Sequence, residues 1–504
     1  MRRIGIDVGG TNTDAALVED GVVVAAIKTP TTDDVTSGIA IAIAQLPHDD
    51  VSAVVVGTTH FTNAVVQRKY LNKVGFLRLC LPTGASLPPL VGWPKDLAES
   101  IHGETVMVRG GIEYDGRPFE ELDEDGVREA ARRFADAGVT SIVVAGSFSP
   151  VDSSQEERAA ELLQEHLPGA RVTLSNRLGR LGLLERENAG ALNASLLDLA
   201  QTTIAAFSSA LTEAGFDENT RLFLSQNDGT MLGLEEAARY PVLTFASGPT
   251  NSMRGAALLG NVAEGLVVDV GGTTADFGAL VAGYPRQANA AVEIGGVRTL
   301  FRLPDLLSIG LGGGSHVTLS PLAVGPTSVG QRLLTDARCF GGSVTTLTDA
   351  ALAAGRLTID GTQSTTMPEA GDVMALAAQM IAAGADRMKL AAHHVPLIAV
   401  GGGAFAVPDE LPGISDIIRP NHGDVANAVG AALAQVSGEV DQVFRNLGRE
   451  TAIATATEIA TDRATNSGAD AASIEVIEIE DLPLAYLPGD ARRVRVRVVG
   501  DLAR

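Results

Sequence analysis

Apolar residues open the chain in short runs, Arg3–Val8, Asp14–Val18 and Val22–Lys28, with the turn residues GGTN and EDG between them. Short apolar runs bounded by such residues predict three strands in hairpin succession. A glycine loop of the dinucleotide-binding or P-loop kind runs from a strand straight into a helix. Here the glycines run from strand to strand, which argues against both of those nucleotide folds. The pattern then alternates. Asp33–Gln45 reads as a helix, Val51–Val56 as a buried strand, and Thr62–Gln67 as the opening of another helix. Asp123 suits the N-cap of a helix ending at Gly138, and Thr140–Gly146 is strand-like. Ser153–His166 follows as a helix, Arg171–Ser175 as a strand, Leu183–Ala214 as one long helix and Arg221–Gln226 as a strand.

At Gly265 the opening pattern returns, and VVDVGGTTAD at Val267–Asp276 echoes IGIDVGGTNTD at Ile4–Asp14. Pro396–Pro408 predicts a strand meeting a triple-glycine turn, and Asp424–Gly438 a helix of small residues. From Glu439 onward the pattern predicts a helix, then strands around a turn at Pro488–Gly489. Two α/β halves, each opening with a glycine-turned hairpin, are the simplest reading.

Composition narrows the partners. The 504 residues suggest about three domains, and 45% hydrophobic content suffices for large cores. An aromatic share of 4% weakens any reading based on stacking single-stranded nucleic acid. A formal charge of −23 repels phosphodiester backbones and anionic lipid, so no nucleic acid and no membrane are expected as main partners. Cys80 and Cys339 cannot build a zinc Cys₄ site, an iron–sulfur cluster or a disulfide framework. No apolar signal region follows Met1, and no run reaches about 18 apolar residues, so a cytoplasmic location is expected.

The repeated phrase places a carboxylate at a strand end, then two glycines, then hydroxyls. Glycines let the backbone turn tightly and bring N–H groups close to an anion. Asp7 can hold Mg²⁺, which usually keeps several waters when bound with phosphates. One copy would be a common hairpin. Two copies from two halves can face each other across a cleft, and Gly401, Gly402, Gly403 and Ala404 can receive an adenosine.

The order of pieces resembles the actin/hexokinase/heat-shock-70 superfamily: Asp7–Asp14, a connecting segment near Thr59–Lys69, Asp269–Asp276, Val400–Ala404, then a second connecting helix at Ala426–Ala432. Within it, GTTHFTNAVVQRK (Gly57–Lys69), LLERENAGALNASL (Leu183–Leu196), SQNDGT (Ser225–Thr230), SGPTNSMRGAA (Ser247–Ala257) and SIGLGGGSHVTL (Ser308–Leu319) resemble the hydantoinase A/5-oxoprolinase family. The resemblance covers roughly residues 2–440. Departures are Asn12 where the family has an aromatic, Gly229–Thr230 in place of a double glycine, LLTDARCFGG in place of PGPACYG, and no long C-terminal domain. They put the substrate's identity in doubt more than the fold.

The resemblance implies an α/β fold of two ribonuclease-H-like lobes around a nucleotide cleft. The lobes would occupy 1–180 and 181–440, with a small α+β appendage over 441–504. It implies a hydrolase that uses ATP and Mg²⁺ to phosphorylate the carbonyl of a cyclic amide (a hydantoin, 5-oxoproline or lactam), working with a hydantoinase B-type subunit and able to form a homo-oligomer. Asp7 and Asp269 would be the metal-side catalytic carboxylates and Asp228 a base. Gly9, Gly10, Thr11, Asn12 and Thr13, with Gly271, Gly272, Thr273 and Thr274, would cradle phosphates. Gly312, Gly313 and Gly314 would form another anion-friendly turn. His60, Asn63, Arg186, Asn193, Asn227 and His316 are substrate candidates, each with the alternative reading of a satisfied structural group. The rival readings are a small-molecule kinase, whose product is a stable phosphoester; an A-type subunit of a ketone carboxylase, which needs bicarbonate; and a nucleotide-gated scaffold.

Overall fold

The computed structural model describes residues 1–9, 12–30, 35–178, 181–216, 220–288, 292–301, 303–363, 366–485 and 487–503. Strands Arg2–Val8, Asn12–Glu19 and Val22–Pro30 are antiparallel in succession, and Val51–Thr58 and Arg221–Ser225 join in parallel on the other side of the first. Gly265–Val270, Ala275–Val281 and Tyr284–Pro285 repeat the antiparallel trio, and Val395–Val400 and Ile414–Ile418 repeat the parallel pair. Both sheets therefore run third, second, first, fourth, fifth. That shared order is the two-lobed ribonuclease-H-like α/β architecture the sequence led us to expect.

The central strands read as almost continuous apolar runs because both of their faces are covered. Ile4, Ile6, Val54 and Val56 enter one core and Ala53 and Val55 another. Each fully buried aliphatic side chain contributes about 1.5–3 kcal/mol. Gly5 faces helix Ala426–Ala432, where a Cβ would overlap the Ala428 carbonyl oxygen.

Between Val51–Thr58 and Arg221–Ser225 the chain builds a separate all-parallel sheet ordered His102–Arg109, Val74–Leu81, Ser141–Gly146, Arg171–Leu174. Its first two strands have no counterpart in the sequence reading. Arg78 interrupts VGFLRLCL and disguises it, yet Arg78 is buried and ion-paired to Glu187 of helix Leu183–Ser195. The expected long helix breaks at Leu196 into Leu183–Ser195 and Leu197–Glu213. Asp123 caps its helix as expected, accepting from the Gly126 N–H at 3.0 Å.

Strand membership cuts across the expected segments 1–180, 181–440 and 441–504. Arg221–Ser225 and Met231–Gly233 belong to the first sheet. Val436–Phe444, Arg492–Gly500 and Glu475–Pro483 extend that same sheet to nine strands. The helix expected over Asp424–Gly438 stops at Ala432, and Gly438 lies within a strand. Helix Arg449–Asn466 lays Ala452, Ala456, Ala460 and Ala464, one per turn, on Val494, Val496 and Val498.

Helix Ser247–Gly260 carries the chain from the first sheet to the second, and Ala426–Ala432 carries it back. This corrects the expected first connection at Thr59–Lys69: helix His60–Gln67 follows Val51–Thr58 and precedes the inserted sheet. The two connecting helices cross with backbones touching. A Cβ at Gly255 would overlap the Ala426 carbonyl oxygen, and one at Gly430 the Asn251 carbonyl oxygen. Among the described residues no helix is long and apolar enough to cross a membrane.

Candidate functional site

Each lobe's first strand ends in the same hairpin. The Gly9 N–H donates to Asn12 O at 3.0 Å, and the Gly271 N–H to Thr274 O at 2.9 Å. Asp7 lies opposite Asp14 across the first strand pair, and Asp269 opposite Asp276 across the second. Asn12 and Thr13 open the returning strand of the first hairpin. Gly272, Thr273 and Thr274 form the tip of the second, with Thr273 exposed. Gly10 and Thr11 lie outside the described residues.

Asp7 is buried. Its Oδ2 accepts from Asn427 Nδ2 at 2.8 Å, and its Oδ1 has no hydrogen-bond partner. Burial, then the charges of Asp14 and Asp269, push the carboxyl up to about 7, against the pull of Asn427 and Lys28. Burial also raises Asp269, with Asp276 adding to it and Ser252 and Lys28 opposing. Burial raises Asp14, opposed chiefly by Lys28, whose Nζ lies 2.6 Å from Asp14 Oδ1. Burial raises Asp276 as well, opposed by Ser308 and Thr274. The two hairpins thus form one electrostatic unit, and Lys28 acts on carboxylates of both lobes.

The walls close tightly on Asp7. A Cβ at Gly57 would lie 2.6 Å from Asp7 Oδ1 and 2.8 Å from Asn251 Nδ2. Asn251, on helix Ser247–Gly260, donates to Ser225 Oγ at 3.0 Å. A Cβ at Gly248 would lie 3.6 Å from Asp7 Oδ1, so that helix points its N-terminus at the carboxylate, a favourable pairing. An orphaned buried carboxylate oxygen beside a second raised carboxyl is the donor chemistry of a hard divalent cation. Among the described residues no group of three or more His, Cys, Asp or Glu could hold a metal. Water and ligand oxygens would complete such a shell.

The triple-glycine turn meets the second carboxylate. A Cβ at Gly401, whose φ is +85°, would overlap Asp269 Oδ1, and the Gly403 N–H donates to Val270 O at 2.7 Å. Gly402 faces open space, and Ala404 begins a short 3₁₀ turn. Gly312, Gly313 and Gly314 do not form the expected anion turn. Gly313 and Gly314 spend their N–H groups on Gly271 O and Gly272 O at 3.0 and 2.8 Å, and Gly312 donates to Ser315 Oγ at 2.9 Å. They brace the second hairpin instead.

The substrate candidates divide. His60 and Asn63 open the helix that follows Val51–Thr58, whose end lies beside Asp7 and Val8. Burial lowers the His60 imidazole, and Asn63 is exposed, donating to Thr59 Oγ1 at 3.2 Å. His316 bridges to Thr346 on the second lobe. Arg186 is fully buried, donating to Ser175 Oγ at 2.9 Å, Leu181 O at 3.0 Å and Gly146 O. Asn193 donates to Thr173 Oγ1 at 3.1 Å and Arg239 O at 2.9 Å. Those two fasten helix Leu183–Ser195 to its surroundings. Asn227 is buried, its carbonyl accepting from Thr250 Oγ1 at 3.0 Å. Asp228 has both oxygens engaged: Oδ1 by the Thr230 N–H at 3.0 Å and Oγ1 at 2.5 Å, and Oδ2 by Arg497 Nη1 at 3.1 Å. That buried ion pair places Asp228 among braces rather than with the hairpin carboxylates. The sequence reading missed Lys28, Asn251 and Asn427. Asn427, in the phrase ANAVGAA, and Asn251, in SGPTNSMRGAA, had local signals, and Lys28 had none.

Residues 3–167 match the family model described as hydantoinase/oxoprolinase N-terminal region, and residues 186–400 match the one described as hydantoinase/oxoprolinase. The chain is 28% identical over 394 residues to caprolactamase subunit alpha of Pseudomonas jessenii, covering 70% of this chain and 54% of that protein. It is 27% identical over 411 residues to the acetophenone carboxylase gamma subunit of Aromatoleum aromaticum, covering 73% and 55%. The chain thus spans just over half the length of these curated relatives. Among solved structures, the ATP-dependent caprolactamase from Pseudomonas jessenii has a TM-score of 0.78 at 20% identity, covering 100% of this chain and 88% of that one. A nucleotide-free acetone carboxylase has a TM-score of 0.66 at 18% identity, with the same coverage. These two likenesses show a shared fold.

Proposed function

On the premise that this chain belongs to the hydantoinase/oxoprolinase family, we propose that it uses ATP to phosphorylate the carbonyl oxygen of a cyclic amide, acting with a second subunit that completes ring opening. The observation that carries this reading is the pair of equivalent hairpins, each ending a lobe's first strand in a raised carboxylate, Asp7 buried and Asp269 half-buried.

An amide carbonyl is a poor electrophile. In the proposed step the γ-phosphorus leaves its bridging oxygen for the carbonyl oxygen, the ring N–H proton departs, and ADP is released. Water then adds to the activated carbon, the ring nitrogen leaves as an amine, and a second water releases phosphate and the acid. Gly9, Asn12, Thr13, Gly271, Gly272, Thr273 and Thr274 would surround the phosphates with backbone and hydroxyl donors, Gly10 and Thr11 being proposed with them. Gly401–Ala404 would border the adenosine. Asp7 and Asp269 would hold Mg²⁺, which when bound supplies charge neutralisation for the phosphates. Lys28 adds a fixed positive charge at the same place. His60, Asn63 and His316 remain the proposed substrate residues. Arg186, Asn193, Asn227 and Asp228 act in this reading as braces.

The likeness to the acetophenone and acetone carboxylases favours one second reading, phosphorylation of a ketone's enolate oxygen before carboxylation. One experiment separates them. The purified chain is given Mg-ATP and hydantoins, 5-oxoproline and lactams, or acetone and acetophenone with bicarbonate, each with and without a B-type subunit. Phosphate release coupled to ring-opened acid supports the first reading, and bicarbonate-dependent turnover of a ketone the second. If no cyclic amide stimulates phosphate release in either format, the amide reading is dropped.

A further inference from the structure

Asp7 stands near one end of strand Arg2–Val8, and Arg3 near the other. On Arg2–Val8, Asp7 and Arg3 are four residues apart, about 13 Å along a strand. Beside Arg3, and beside Val262 and Ala263 that lead into the second lobe's first strand, lies a cavity of about 600 Å³. Arg3, Gln435 and Asp501 line it from the first lobe and Gly283 from the second, with Arg254 and Leu258 from the connecting helix.

Both connecting helices run from the cleft to this cavity. Their N-terminal residues Gly248 and Asn427 are beside Asp7, while Leu258 and Leu433, at or just past their C-terminal ends, line the cavity. Between these ends they cross with bare backbone contact at Gly255 and Gly430. Such a crossing serves as a pivot for lobe rotation. Cleft and cavity lie on opposite sides of it, so a rotation that closes one opens the other.

The cavity's chemistry favours an anion. Arg254 gives Nη1 to Gly283 O at 2.7 Å and rests its guanidinium 3.8 Å from the centre of the Tyr284 ring. Arg3 donates to Ala434 O at 3.1 Å and to Met1 Sδ at 3.3 Å. These hydrogen-bond partners are neutral. Of the carboxylates nearby, Asp20 is paired with the Met1 ammonium, Asp501 acts on Arg3, and Asp228, which acts on Arg254, is already bound to Arg497, while burial works against both guanidiniums. A desolvated cation with neutral partners gains strongly from an anionic one. Val18, Leu258, Val262 and Leu433 supply apolar wall.

We propose that the hinge-side cavity binds a small carboxylate with an aliphatic body, its carboxylate on Arg3 and Arg254 and its chain on Leu258 and Leu433, and that occupancy there favours the open cleft. The effect on nucleotide affinity rests on the ATP reading of the cleft, whereas binding itself does not.

Calorimetry on the full chain with hexanoate, and with hexylamine as the same body without the carboxylate, tests binding. Saturable one-to-one binding of hexanoate and none of hexylamine is expected. Arg254→Gln and Leu258→Trp should each weaken it about tenfold or more, as expected for losing a charge-assisted hydrogen bond or the apolar space. Leu258 is 42% exposed, so tryptophan there fills the cavity from its mouth without disturbing the core. Saturating hexanoate should weaken Mg-nucleotide binding about fivefold or more. No saturable binding, or binding that both variants leave unchanged, overturns the site. Binding abolished by Asp7→Asn would put hexanoate in the cleft and overturn it equally. Hexanoate binding with unchanged nucleotide affinity overturns the coupling. If Mg-nucleotide itself fails to bind, the ATP reading falls while the hexanoate result still decides the cavity.

Discussion

Asp7→Asn should stabilise the ligand-free protein while destroying its response to metal and nucleotide. Asp7 is held at about 7 against an ordinary value of 3.8, chiefly by burial and then by Asp14. A carboxyl raised in the folded state contributes stability that is complete below its unfolded value. That contribution drains away as pH rises through the folded value. Three pH units at about 1.4 kcal/mol each give about 4 kcal/mol lost between pH 4 and 8. Asparagine has nearly the same shape and does not titrate. The wild type and Asp7→Asn should therefore unfold alike near pH 4 and diverge above it. The variant should be the more stable by up to about 4 kcal/mol at pH 8. Urea unfolding of EDTA-treated, nucleotide-free protein at several pH values measures this directly. Adding Mg-ATP should reverse the order, because only the wild type gains stability by ligand linkage. Equal stability of the two proteins at pH 8 without ligand would refute the buried-charge argument. A full Mg-ATP response in the variant would refute the placement of the metal.

Lys28→Met removes the cation that acts on Asp7, Asp14 and Asp269. Mg-nucleotide affinity should fall roughly 10- to 100-fold, as for loss of a charged hydrogen bond, with partial rescue by Lys28→Arg. Arg497→Met should cost about 3–5 kcal/mol by orphaning Asp228, and adding Asp228→Asn should recover much of it, as a denaturation double-mutant cycle would show. If that double variant keeps its turnover per folded molecule, Asp228 is a brace and not a base. Gly430→Ala should cost about 1–3 kcal/mol, since its methyl group meets the Asn251 carbonyl oxygen; a loss within 0.5 kcal/mol would remove the tight crossing.

What the sequence made legible was local. The hairpins announce themselves because the glycines, the preceding apolar run and the carboxylate are neighbours, and the first three strands fall within a residue or two of expectation. The cap at Asp123 is read the same way. What stayed hidden depends on partners far along the chain. Val74–Leu81 was concealed by Arg78, whose burial is tolerable only because Glu187 arrives from a distant helix. Gly312–Gly314 looked free to bind an anion, but Gly271 and Gly272 had claimed Gly313 and Gly314. Asp228 reads as a candidate base from its neighbours alone, and nothing local announces that Arg497, 269 residues later, engages its second oxygen. Lys28 is an ordinary lysine near the end of an edge strand until the fold sets it against Asp14. Polar residue types can be read from sequence, but whether their lone pairs are already spent cannot.

The doubled hairpin makes physical sense as a device for coupling charge to lobe position. Asp7 and Asp269 stand on different lobes, one buried and one half-buried, and desolvation raises both, so an empty cleft disfavours their joint ionisation. On the proposed reading, a divalent cation brought by phosphates would remove that penalty, and would do so best when the lobes approach. Closure of the cleft would then be driven from the carboxylate ends of the two first strands. The cavity behind the pivot lies at the far end of the first lobe's strand, at Arg3, and against the connecting helix, at Arg254, and its proposed occupant opposes closure. Rigid transmission requires the bare contact at Gly255 and Gly430, because a side chain there would separate the helices. Gly430→Ala should therefore leave hexanoate binding at the cavity largely intact while erasing its effect on Mg-nucleotide affinity. Hexanoate that still weakens nucleotide binding by the wild-type factor in Gly430→Ala would show that the coupling does not pass through the helix crossing.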